Sequence, residues 1–322
     1  MTLEAVRHLA AEDLREVDRV IREHLSSDVL LINQVAEYII NSGGKRLRPL
    51  LVVAAARACG VNGGDHRAAA AIIEFIHTAT LLHDDVVDGS ELRRGRNTAN
   101  AVWGNEASVL VGDYLYSRAF EMMVGLGHMR IMDVLATATN KIAEGEVLQL
   151  MNANDPDTTE QRYFDVIYRK TAKLFEAGTQ IAAILSGGTP AVEEAMITYG
   201  KHLGIAFQLI DDALDYSADR DALGKNLGDD LAEGKPTLPM IHAIAHSTGA
   251  DRNLLRRAIE EGSTADLQRI TTLIESTGGL HYTARLARRE ADAALAALSA
   301  VPASAHKQSL RDLAEFAVNR HY

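Results

Sequence analysis

Ala68-Ala69-Ala70-Ala71-Ile72-Ile73-Glu74-Phe75-Ile76-His77-Thr78-Ala79-Thr80-Leu81-Leu82-His83-Asp84-Asp85-Val86-Val87-Asp88 is the stretch whose reading decides the fold. Apolar residues recur through it at helical spacing, which predicts an α-helix over 65–88. It ends in three aspartates. A spacing of four puts Asp84 and Asp88 on one face a turn apart, while Asp85 points roughly 100° away. A second segment of the same form, Ile210-Asp211-Asp212-Ala213-Leu214-Asp215, closes another apolar run, Phe207-Gln208-Leu209-Ile210. Unpaired acids emerging from apolar helix are costly. Two such faces opposed across a cavity would make a cage that repels its own members, so the pattern calls for cations. Clustered hard carboxylates suit Mg²⁺ shared with substrate phosphates. The plain alternative, a solvated acidic helix face, accounts for one copy more readily than for two with matching apolar flanks.

Working outward, the period is helical almost throughout. Helices are predicted over about 2–25, 28–41, 46–59, 65–88, 106–124, 129–151, 159–186, 191–218, 237–246, 251–260, 265–276, 279–298 and 304–320. Gly43-Gly44, Gly60, Gly63-Gly64, Asp155-Pro156 and Gly187-Gly188 with Pro190 supply the stops. With no alternating β-branched run, no linker and no low-complexity tract, the expectation is a single all-α domain over 1–322. Composition agrees, because 47% hydrophobic residues with only six prolines among 322 favour long packed helices.

A net charge of −11 argues against nucleic acid and against adhesion to an anionic membrane. The single cysteine, Cys59, excludes an internal disulfide, reads as a small buried apolar residue and fits a reducing, cytoplasmic location. The first 28 residues alternate charged and apolar side chains, as an amphipathic helix rather than a signal peptide does, and no apolar run is long enough to span a bilayer.

Basic residues cluster in two places. Lys45-Arg46-Leu47-Arg48 opens a helix, where free N–H groups and the helix dipole favour an anion, and Arg93-Arg94-Gly95-Arg96 follows the first acid motif. A diphosphate not held through metal would need such donors. Residues 219–236 form a long polar loop with Lys225, Lys235, Asp229 and Asp230, and a loop of this kind beside a charged site reads as a lid.

Two kinds of diphosphate site on one helical chain suggest a reaction that joins two diphosphates, and there the motifs resemble a known family. Gly43-Gly44-Lys45-Arg46-x-Arg48-Pro49, Leu81-Leu82-His83-Asp84-Asp85-x-x-Asp88 with Arg93-Arg94-Gly95, Lys170-Thr171, Phe207-Gln208-x-x-Asp211-Asp212-x-x-Asp215, and Gly224-Lys225-x-x-Gly228-Asp229-Asp230 with Gly234-Lys235-Pro236-Thr237 match the trans-isoprenyl diphosphate synthases in kind and order. Within that family the chain resembles the long-chain bacterial members, and Glu144-Gly145-Glu146-Val147-Leu148-Gln149-Leu150-Met151 resembles that subgroup too.

The resemblance implies a helical bundle around a central apolar cavity, a homodimer, and product of the octaprenyl class for quinone side chains, with transient membrane contact at most. It implies that Asp84, Asp88 and Asp211 bind Mg²⁺ on the allylic diphosphate, supported by Asp85 and Asp215, with Asp212 among the catalytic acids. Arg93, Lys170, Lys225 and Lys235 would hold that diphosphate, with Thr171 and Gln208 turning oxygen dipoles to the allylic cation. Lys45, Arg48, His77 and Arg94 would hold isopentenyl diphosphate. Small residues one turn before Asp84, at Ala79 and Thr80, imply an open tunnel for a long product, because short-chain members carry a bulky aromatic near that level. Ala79 lies roughly 7.5 Å below Asp84 along the helix, and Met123 is a candidate for the tunnel floor.

The rival readings make distinct demands. A terpene cyclase needs no second diphosphate site at Lys45, Arg48 and Arg94. A metal phosphohydrolase read from His83-Asp84 should rest on histidines rather than two aspartate trios. A non-catalytic subunit should have lost an acid motif, and a shorter-chain synthase should carry bulk near Ala79.

Overall fold

The structure is a computed structural model that describes residues 3–41, 44, 46–93, 95–217 and 227–320. The described chain is a succession of helices: α1 Leu3–Leu9, α2 Ala11–Leu25, α3 Leu30–Asn41, α4 Leu47–Ala58, α5 Asp65–Val87, α6 Ala99–Trp103, α7 Asn105–Gly125, α8 Met129–Asn152, α9 Glu160–Ile167, α10 Lys173–Leu185, α11 Pro190–Leu214, α12 Asp229–Ala232, α13 Leu238–His246, α14 Gly249–Glu261, α15 Leu267–Ser276, α16 Gly279–Ala297 and α17 Ala305–Val318. A two-residue hairpin, β1 Leu92–Arg93 and β2 Arg96–Asn97, pairs Leu92 with Asn97 and Arg93 with Arg96. None of these helices is long and apolar enough to cross a membrane.

The helical expectation holds, with three local corrections. The predicted 2–25 helix breaks at Ala10 into α1 and α2, and the predicted 191–218 helix ends at Leu214. The predicted 159–186 helix is interrupted by a π-helical turn, Tyr168–Ala172, between α9 and α10. Periodicity does not distinguish one inserted residue in a continuous helix.

Two compact units emerge. The first comprises Met1–Thr139, Leu174–Thr198 and Ala297–Leu313, and the second Asn140–Lys173, Tyr199–Ala296 and Ala314–Tyr322. In the first, α4 is apolar almost all round and buried accordingly, from Leu50 through Ala56. α5 packs along both α4 and α7. The buried Asp13 carboxylate in α2 accepts hydrogen bonds from Arg57 Nε at 2.7 Å and Arg67 Nε at 2.8 Å, so a charge in this core is compensated by two guanidiniums. In the second, one core gathers Tyr163, Ile167, Leu209, Ile210, Leu214 and Leu238, and another gathers Tyr216, Leu231, Met240, Leu255, Ile259 and Ile270.

Candidate active site

Both acid motifs fall in the last turn of a helix. The first is set by the end of α5, where Gly89 takes a left-handed φ of 63° and closes the helix by Ser90 N–H to Asp85 C=O at 3.0 Å and Gly89 N–H to Val86 C=O at 3.3 Å. The helix dipole is negative at this end, so carboxylates placed there repel both the dipole and each other. Such an arrangement favours a bound cation. Asp84 and Asp88 are half-buried, and between them Asp85 is fully buried.

Asp85 Oδ1 accepts from Arg93 Nε at 2.8 Å and Nη2 at 2.7 Å, while its Oδ2 is buried without a hydrogen-bond partner. Burial raises the Asp85 carboxyl above its ordinary range, against the lowering effect of Arg93. Two carboxylates one turn apart, joined by phosphate oxygens, are a normal Mg²⁺ donor set, so Asp84 and Asp88 fit the ion. Among the described residues no three His, Cys, Asp or Glu side chains already converge as metal ligands.

Also in the first unit, Arg48 Nη1 donates to His77 Nε2 at 2.9 Å, and the guanidinium carbon stands 4.9 Å from the Phe175 ring centre. Arg48 and His77, named together from sequence, are therefore neighbours. Ala79 is fully buried in α5, Met123 is buried in α7, and the Thr80 hydroxyl donates to the His77 carbonyl at 2.8 Å. His83 Nε2 lies 3.2 Å from Asp113 Oδ1. Lys45, Arg94 and Lys225 lie outside the described residues.

In the second unit a pocket is lined by Tyr163, Lys170, Thr171, Gln208, Asp212, Asp230 and Lys235. Five of these, Lys170, Thr171, Gln208, Asp212 and Lys235, were named as site residues from three separate sequence motifs, and Asp230 was named in the polar loop. A chain of hydrogen bonds joins them: Thr171 Oγ1 donates to Gln208 Oε1 at 2.9 Å, Gln208 Nε2 donates to Asp212 Oδ1 at 2.7 Å, and Tyr163 Oη donates to Asp212 Oδ2 at 2.5 Å. Burial, with like charge from Asp230, pushes the Asp212 carboxyl up in spite of these donors. Lys170 Nζ sits 2.6 Å from Glu146, and Lys235 pairs with Glu233.

Asp211 is paired with Arg320, whose Nη2 also donates to the Phe207 carbonyl at 2.7 Å and whose guanidinium lies 4.0 Å from the Phe207 ring centre. Asp215 is fully buried and accepts from the Asp230 N–H at 3.2 Å.

That contact corrects the lid expectation over 227–236. This half of the loop holds α12, packs Leu231 into the core, and returns a hydrogen bond from Asn154 N–H to Gly234 C=O at 2.9 Å. The remainder, 219–226, lies outside the described residues. Sequence reading missed Tyr163, Arg320 and Glu146. Their partners are far away in the chain; an isolated tyrosine and a near-terminal arginine carry no local motif, and the 144–151 stretch that holds Glu146 gives no sign of its partner.

A sequence model of the polyprenyl synthetase family matches residues 29–276. The chain is 54% identical over 321 residues, covering 99% of each protein, to octaprenyl diphosphate synthase of Escherichia coli. It is 48% identical to the geranyl-diphosphate-specific all-trans-nonaprenyl-diphosphate synthase of Rhodobacter capsulatus, covering 96% of this chain and 95% of that one. The crystal structure of a polyprenyl synthase from Caulobacter crescentus, complexed with calcium and isoprenyl diphosphate, superposes with a TM-score of 0.96 at 48% identity, covering 99% of this chain and 98% of that one.

Proposed function

The chain belongs to the polyprenyl synthetase family, and on that premise we propose that the pocket of Lys170, Thr171, Gln208, Asp212 and Lys235 is where it holds its allylic diphosphate. The chain is a prenyltransferase that makes long-chain all-trans polyprenyl diphosphates, with isopentenyl diphosphate and an allylic diphosphate as substrates. The convergence of those five side chains from separate motifs is the observation that carries the site reading.

In this reading Asp84, Asp88 and Asp211 are the Mg²⁺ ligands, supported by Asp85, Asp212 and Asp215. The relative crystallised with calcium is consistent with a divalent ion. Bound Mg²⁺ neutralises the diphosphate and makes it a leaving group. The ammonium groups of Lys170, Lys225 and Lys235, with Arg93, hold the allylic diphosphate as its C–O bond ionises. Thr171 and Gln208, fixed to each other and to Asp212, keep oxygen dipoles in place for the developing cation, so little reorganisation accompanies its formation. Arg48 and His77, with Lys45 and Arg94, hold isopentenyl diphosphate, whose double bond attacks the cation. A proton then passes to the departed diphosphate, and the product is again allylic and ready for another cycle.

Farnesyl diphosphate is the proposed primer and octaprenyl diphosphate the proposed product, supported by the buried, small Ala79. Ala79→Tyr, or Thr80→Phe, should shift the product towards the farnesyl or geranylgeranyl class; folded, active variants at both positions that still make full-length product would sink the tunnel reading. We also propose a homodimer. The apolar side chains Leu110, 67% exposed, and Val124, 64% exposed, on α7 support it, and light scattering tests it. A cytoplasmic location and a quinone side chain as the fate of the product belong to the same reading. The deciding experiment is incubation with farnesyl diphosphate, isopentenyl diphosphate and Mg²⁺ followed by product mass. An octaprenyl product confirms it, and no elongation overturns it.

A further inference from the structure

Lys170 and Thr171 sit in the π-helical turn Tyr168–Ala172, and both line the pocket. Neighbours in an ordinary α-helix diverge by roughly 100° and do not share a face. A π turn winds less per residue and brings consecutive side chains closer to one direction, but it is rarely stable by itself. Something must hold it open.

The holder is on α8. A Cβ added at Gly145 would lie 2.7 Å from the Lys170 backbone nitrogen and 2.8 Å from Arg169 Cβ, so only glycine lets α8 approach the turn this closely. The residues on either side grip the same turn. Glu144 pairs with Arg169, and Glu146 Oε2 accepts from Lys170 Nζ at 2.6 Å. From the opposite direction, Thr171 is tied to Gln208 on α11 at 2.9 Å.

We propose that Gly145 and Glu146 are positioning residues for prenyl transfer. Gly145 gives the widened turn room against α8, Glu146 fixes the Lys170 ammonium, and together they present Lys170 and Thr171 side by side to the allylic diphosphate. Neither residue touches substrate. The inference rests on the pocket reading above and deepens it, because it states why two successive residues of one helix act on one ligand.

The test is Gly145→Ala in the full chain, with farnesyl diphosphate, isopentenyl diphosphate and Mg²⁺. A misplacement of this size at a reacting centre lowers kcat/KM for the allylic substrate on the order of a hundredfold. The KM for isopentenyl diphosphate should stay within about twofold, since Lys170 and Thr171 hold the other substrate. A crystal structure of the variant should show 168–172 rewound towards α-helix with Lys170 moved from Glu146. A merely structural role would depress both substrates' constants in proportion to lost fold.

Should Gly145→Ala not fold, Glu146→Ala takes its place. It should raise the allylic KM about tenfold, with much of the loss recovered by Glu146→Gln, which keeps an acceptor oxygen. Wild-type turnover beside a Gly145→Ala or Glu146→Ala variant with unchanged allylic constants, or a Gly145→Ala structure with the π turn intact, overturns the positioning role alone. A wild-type chain that does not elongate farnesyl diphosphate overturns the functional reading and the positioning role with it.

Discussion

The two aspartate trios share a spelling and a place in the last turn of an apolar helix, yet their buried middle carboxylates are held by different chemistry. Asp85 is met by a guanidinium, from Arg93 on the hairpin that follows α5. Among the described residues Asp212 accepts hydrogen bonds from neutral donors, the Tyr163 hydroxyl and the Gln208 amide. At an outer position of the second trio, Asp211 carries an arginine partner, Arg320, at the far end of the chain. The first motif thus has a guanidinium beside its central carboxylate, and the second has one on its Asp211 carboxylate. A charged partner at a buried centre holds the motif's shape whether or not substrate is present. An arginine on a rim carboxylate occupies an oxygen that a metal would need.

The largest expected effect tests what the trios have in common. Asp84→Ala and Asp211→Ala should each lower kcat on the order of 10³-fold, because each removes a proposed metal ligand whose contribution would grow as charge separates. Single-turnover assays at ordinary Mg²⁺ decide it, and near-wild-type turnover in either variant breaks the equivalence of the two motifs.

The middle aspartates should then separate. Asp85→Asn leaves Arg93 without its carboxylate partner, and urea unfolding should show a loss of about 2 kcal/mol. Asp212→Asn keeps neutral partners and removes like charge beside Asp230, so its loss should be under about 1 kcal/mol. Equal losses, or the reverse order, would remove the contrast between a charged and a neutral anchor.

Burial raises both middle carboxyls, and Asp212, pushed up to about 8, should give the wider pH window. Burial places the folded Asp212 carboxyl above its unfolded value, so the folded state binds the extra proton. Its contribution to stability is therefore present at low pH and is lost as pH rises from the ordinary carboxylate range through the raised folded value, at up to about 1.4 kcal/mol per pH unit. In metal-free chain this decline should flatten in Asp212→Asn. An unchanged pH profile in that variant assigns the slope elsewhere.

The smallest effect concerns the rim. Arg320→Ala frees an Asp211 oxygen and should lower the half-saturating Mg²⁺ concentration about threefold, the scale of a partly exposed ion pair. A higher Mg²⁺ requirement would show that Arg320 assists the metal site rather than competing for it.

The sequence by itself determined the helical architecture, the two acid motifs and their family, because helical period, stop residues and the spacing of four are local properties that survive in a string of letters. It placed Asp84, Asp85 and Asp88, and it named Lys170, Thr171, Gln208 and Lys235 before any pocket was in view. Only the tertiary structure decided which partner each carboxylate has. Tyr163 reaches Asp212, Arg320 reaches Asp211 and Glu146 reaches Lys170 across tens to a hundred positions of chain. The π turn at Tyr168–Ala172 belongs with these. It depends on the missing Cβ of Gly145, a contact with another helix that no pattern within residues 159–186 encodes. Burial and pairing are set by packing between distant segments, and packing is where identical motifs acquire different electrostatics.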